Sequence, residues 1–195
     1  MKKVLFLLSL ALLTLGCGTQ KQAVQTSTGS TKGDVLTRVD DRDKAVRSNL
    51  PQVGNLMAPF HETGTDGKLW TNHDLEGHVT VFYLWYQGCL DALSEMGELS
   101  NWKVMYPDVL FFSVTWHDVG TTNRIANQRH FTWTHLCNAR QMMTWVSQGV
   151  DEKNANARNY PVTIVVDQQG IVRRVVSGTS MQIRQATLDC IRQYR

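Results

Sequence analysis

The residues best suited to chemistry in this 195-residue chain are cysteines, and one of them stands where a strand turns into a helix. In "YLWYQGCLDALSEM" (83–96) an apolar run ends at Trp85, a short turn follows, and Cys89 opens a helical pattern. A thiol at a helix N-terminus meets unpaired backbone N–H groups and the positive end of the helix dipole, and both favour the thiolate. The expectation is a nucleophilic Cys89 titrating below the ~8.5 of a free cysteine, with nearby Asp91 limiting the depression. The position three residues on, where a second cysteine would make a dithiol, is Ala92.

The other cysteines are Cys17, Cys137 and Cys190. If Cys17 carries lipid, an odd number of thiols remains, so at least one is free or pairs with another molecule. Cys137 closes the stretch "FTWTHLC" and is the candidate second thiol for Cys89. A disulfide between them requires Cα atoms within about 7 Å. The competing reading makes Cys137 a small buried residue, and Cys190, on the apolar side of the last helix, reads as core. His117 and His135 lie near the ends of adjacent strands, but His-x-Cys by itself is a weak metal pattern. No metal and no cofactor is expected.

These residues need elements to hold them. "HVTVFYLWY" (78–86) is a continuous apolar run suited to a central strand buried on both faces. "LDALSEMGELSNWKVMY" (90–106) reads as a helix with Leu93, Met96, Leu99 and, less regularly, Val104 near one face, and with a bend at Gly97. "DVLFFSVTW" (108–116) is a second buried strand, so the strand–helix–strand spacing predicts parallel neighbours. A helix over 121–131, a short strand over 132–137 and a helix over 139–150 follow. "VTIVVDQQGIVRRVVSG" (162–178) predicts a hairpin turning at Gly170, and 180–194 a closing amphipathic helix. Residues 51–78 predict a small leading hairpin with its turn at "TDGK". The order implies a central mixed sheet with helices on both faces. The Trp residues 70, 102, 116, 133 and 145 read as core and groove lining.

The two ends of the chain differ sharply. Lys2 and Lys3, an apolar stretch to Leu15 and then Gly16–Cys17 have the layout of a secretory signal, too short to span a bilayer. "TLGC" resembles a bacterial lipobox, with Thr14 where Leu is usual. The expected organisation is a signal peptide over 1–16 and a lipid-anchored polar tether with a charged segment over 17–50. A single folded domain follows over 51–195. Gly18 after the lipid cysteine favours an outer-membrane anchor with the domain facing the periplasm. Outside the leader the chain carries 18 basic against 17 acidic residues, a balance of +1 that argues against nucleic-acid binding.

Over 51–195 the sequence resembles the TlpA-like disulfide reductases and the related AhpC/TSA redoxins, which share the thioredoxin fold. "CLDALSEMGEL" resembles the family's Cys-x-x-Cys-x-x-Glu-Met-Pro-x-Leu, with Cys89 at the nucleophile, Ala92 at the missing second cysteine and Gly97 at the helix proline. "NYPVTIVVDQQG" resembles Pro-Thr-x-x-x-x-Asp-x-x-Gly, and puts Pro161 on the family's cis-proline. The resemblance implies an α/β thioredoxin-like fold with an N-terminal hairpin extension, and a substrate groove formed by Trp85, Tyr160 and Pro161. It further implies thiol–disulfide exchange on envelope proteins, either as an oxidoreductase or as an isomerase, with Cys137 or an outside thiol as resolver. Partners would be protein thiols and disulfides, bound as an extended strand, and the membrane through the lipid. The alternative is a redox-inactive binding module on the same fold. A peroxiredoxin is disfavoured, because its Pro and Thr positions here are Phe82 and Tyr86.

Overall fold

The computed structural model describes residues 48–150 and 159–195. The expected signal peptide, Cys17 and the tether as far as residue 47 lie outside the described residues. So does most of the charged segment over 34–49.

The leading hairpin is β1 (His61–Gly64) and β2 (Leu69–Thr71), turning through Gly67 at positive φ. A single 3-10 turn, Asn72–Leu75, leads on to β3 (Thr80–Leu84). Then come α1 (Leu90–Met105), β4 (Leu110–Val114), α2 (Val119–Gln128), β5 (Thr134–Cys137) and α3 (Arg140–Gln148). The hairpin β6 (Val162–Val166) and β7 (Val172–Ser177) precedes the last helix, α4 (Met181–Tyr194). Each element sits where the periodicity placed it, with ends shifted by a few residues. Among the described residues no helix is long and apolar enough to cross a membrane.

The seven strands form one mixed sheet in the order β2-β1-β5-β4-β3-β6-β7. β3, β4 and β5 run parallel, whereas β6 pairs antiparallel with β3 and β1 antiparallel with β5. Strand alternation explains why the central runs are apolar throughout. Phe82 and Leu84 point into one core with Phe112, Val114, Leu136 and the α3 residues Met142 and Val146. Val81, Tyr83 and Trp85 point into the other, with Met96 and Leu99 of α1, Ile125 of α2 and Ile191 of α4. The edges of the sheet are modest. β2 is three residues long, and β7 carries Arg173 and Arg174, the first paired with Asp167 at 2.6 Å.

One detail differs from the sequence reading. Val104 is 80% exposed and Trp102 takes its place in the core, because a 3.6-residue period carries position 102, not 104, onto the face of Leu99.

Candidate functional site

Parallel strands β3, β4 and β5 all end at one side of the sheet, and the candidate site is built from the connections leaving them. After β3, Trp85 is fully buried and its indole N–H donates to Ser113 Oγ of β4 at 2.7 Å. The chain then makes a β-turn over Tyr86–Cys89, closed by the Cys89 N–H donating to the Tyr86 carbonyl at 3.0 Å. A Cβ at Gly88 would lie 2.7 Å from the Tyr86 ring, so a side chain there would displace that ring. The Gln87 N–H, which points out of the turn, donates to His117 Nε2 beyond the end of β4 at 2.9 Å.

Cys89 is the N-cap residue of α1 and is 7% exposed, with a free thiol. Its sulfur has no fully formed cap hydrogen bond. Burial pushes the thiol up from its ordinary value, and nearby Asp91 and Glu95 add to that rise. The Ala92 N–H at the helix start works in the opposite direction and does not win. The structure therefore reverses the expected direction: the helix terminus is present, but desolvation of the charged form outweighs it.

Glu95 lies on the same side of α1, buried, accepting from the Tyr83 hydroxyl at 2.6 Å and from Arg184 at 3.1 Å. Burial nonetheless pushes its carboxyl above the usual range, against both partners. The Tyr83 phenol is raised in turn, first by burial and then by Glu95.

The register places Pro161 beside this turn. Leu84 of β3 pairs with Val162 of β6, so Pro161 lies across from Trp85, and the Tyr160–Pro161 bond is cis. Tyr160 closes an aromatic group over the turn. Its ring lies 5.3 Å from that of Tyr86 and 5.6 Å from that of Trp116, and Tyr86 stacks on Trp116 at 5.4 Å. Its hydroxyl donates to the Met143 carbonyl at 2.7 Å, and burial pushes its phenol up to about 12. Trp116, Tyr160, Arg140 and Met143 line a largely apolar pocket of about 330 Å³ alongside.

Of the groove residues expected from sequence, Tyr160 is partly exposed and Pro161 is buried beneath it. Trp85 is corrected: with no exposed surface it supports the turn from below and lines nothing. Trp116, 37% exposed, takes the outward aromatic position, and no local pattern sets it apart from the other tryptophans. His117 is visible in the sequence only as a weak metal candidate, and its bond to the Cys89 turn depends on strand order. Among the described residues no three of His, Cys, Asp and Glu are grouped so as to hold a metal ion.

Cys137 is also buried with a free thiol, and its Sγ faces the Thr63 carbonyl of β1 at 3.5 Å. Strand β4 lies between β3 and β5, which puts their axes about 10 Å apart. Cys190 is half-buried against the core beneath α4.

No family model matches the chain, and no curated protein matches it. Solved structures do. A candidate protein disulfide isomerase from Bacteroides thetaiotaomicron superposes with a TM-score of 0.60 at 15% identity, covering 74% of this chain and 90% of the other. A secreted Mycobacterium tuberculosis disulfide oxidoreductase gives 0.53 at 19% identity, with 67% and 95% covered. The exposed lipoprotein thioredoxin Etrx1 of Streptococcus pneumoniae gives 0.56 at 15% identity, with 70% and 99% covered. The chain has a thioredoxin-like fold. Within that fold, Cys89 lies at the β3–α1 turn and the Tyr160–Pro161 bond is cis, as the resemblance implied for Pro161.

Proposed function

We propose that this thioredoxin-fold protein carries out thiol–disulfide exchange at the cell envelope, with Cys89 as its nucleophile. The observation that carries the reading is a free thiol at the N-cap of α1, set beside cis Pro161 and an exposed aromatic group. The names of the solved neighbours support the same class of reaction. Cys89 thiolate attacks one sulfur of a partner disulfide. The S–S bond breaks, the second sulfur leaves as a thiolate, and a mixed disulfide forms with no net oxidation. A second thiol must then open it. An outside thiol is favoured over Cys137, which faces Thr63 with β4 intervening. The partner binds along Tyr160 and Pro161 as an extended segment. Cys17 tethers the domain by lipid, with the signal peptide over 1–16 removed, at the periplasmic face of the outer membrane.

The test is incubation of the reduced full chain with a disulfide-bonded protein such as insulin, followed by mass analysis without reducing agent. A mixed disulfide on Cys89 is expected, and Cys89→Ser abolishes it. No adduct at any pH would end the redox reading. Mass analysis of the mature N-terminus tests the lipid on Cys17.

One observation favours a second reading. Ala92 stands in place of a second cysteine, and burial pushes the Cys89 thiol above its ordinary value. A binding module on this fold keeps partner affinity after Cys89→Ser, whereas covalent exchange does not.

A further inference from the structure

The turn carrying Cys89 is fastened to the neighbouring strand through one acceptor. The Gln87 N–H occupies the outward position of the Tyr86–Cys89 turn, where the turn itself offers no partner, and it donates to His117 Nε2 at 2.9 Å. An imidazole nitrogen accepts only while it is unprotonated, so this bond requires neutral His117 with its proton on Nδ1. His117 is itself fixed. Its carbonyl accepts from the Asn138 N–H at 2.8 Å, and its ring lies 6.1 Å from those of Trp85 and Trp116. Strand ends β4 and β5 thus hold the histidine, and the histidine holds the turn.

We propose that neutral His117 is a positioning residue that locks the Cys89 turn through Gln87, and that protonation of His117 releases the turn and lowers thiol reactivity. The inference rests on the reading of Cys89 as a nucleophile. An imidazolium has no lone pair for Gln87 and turns an N–H toward an N–H. The turn then loses its outer anchor, and Cys89 leaves its place over the Ala92 N–H, the donor that favours its thiolate. The charged groups bearing on the imidazole are Asp118 and Arg124 of α2, which oppose one another. Burial is the leading influence and holds the imidazole below its ordinary value, so the locked form prevails near neutrality.

The first test does not depend on reactivity. In amide spectra of the reduced full chain, taken from about pH 8 down to about pH 5, the Gln87 N–H should titrate with the same midpoint as the His117 ring. A Gln87 signal that stays still while His117 titrates overturns the proposal. The second test follows alkylation of Cys89 by peptide mass across the same range. The rate should change from inverse first to inverse second order in proton concentration below the His117 midpoint. His117→Gln, which keeps an acceptor at similar reach but cannot titrate, should restore the inverse first-order limb and keep the neutral rate. His117→Leu should be slow throughout, and if it fails to fold, the amide titration of the unaltered chain decides. A rate that rises below the midpoint would mean that imidazolium charge matters more than the lock, and would overturn it. Coupled titration of Gln87 in a chain that forms no mixed disulfide would sink the exchange reading and leave the lock standing.

Discussion

The helix N-termini of this molecule are finished in two different ways. α2 begins at Asp118, whose carboxylate accepts from the Thr121 N–H at 2.9 Å, and α4 begins at Ser180, which accepts from the Ile183 N–H at 3.2 Å. α3 has Ala139 at its cap and no side-chain cap bond. At α2 and α4 an oxygen satisfies donors that a helix start leaves over. α1 alone of the four gives that position to sulfur, and the bond is left unformed. The oxygen-capped ends serve stability, and the sulfur end leaves its donors open to a charge that appears only when the thiol ionises.

Swapping the caps should separate these roles. Cys89→Ser gives the largest effect on activity, with complete loss of exchange, while unfolding free energy stays level or rises because Ser is a better cap. A clear loss of stability in that variant would break the comparison. Beneath the turn, Trp85→Ala removes a fully buried indole and should cost about 3–5 kcal/mol in urea unfolding. Ser180→Ala, at an oxygen-capped end, should cost about 1 kcal/mol and leave Cys89 reactivity unchanged. Asp118→Ala should also destabilise.

The smallest effects lie in the pH dependence and have opposite signs. Asp118 is held below its ordinary value by the Thr121 N–H and hydroxyl, so its contribution is present near neutrality and is lost as pH falls through the lowered value. Glu62 and Glu95 are both raised above 4.5, chiefly by burial. The folded chain then binds protons more tightly than the unfolded one, and stability falls as pH rises from about 4.5 through the raised values. Urea midpoints across this range should show that decline, and Glu62→Gln should flatten it.

Much of the framework could be read from residue order. The apolar runs at 78–86 and 108–116 have the length and β-branched content of doubly covered strands, and the helix between them fixed their parallel pairing. The candidate residues Cys89, Tyr160 and Pro161 are legible by motif because their spacing is local to one turn or one strand start. What escaped depends on which strands become neighbours and on how deeply a group is covered. The Gln87–His117 bond spans 30 residues and exists only because β4 lies beside β3. The direction of the Cys89 shift was misjudged for the same reason, since a sequence displays the helix terminus but not the desolvation above it. Val104 was misplaced because apolar character alone does not say which face of a helix a residue takes.

The two outer strands also shape how copies of the chain meet. An unpaired strand edge is a template onto which another molecule can add its own strand, which is how sheets grow into aggregates. Here one border is only three residues long, and at the other two consecutive guanidinium side chains interrupt the apolar pattern. With such borders the sheet resists growing strand by strand, and the Cys89 turn, set at the ends of the central strands, lies away from both of them.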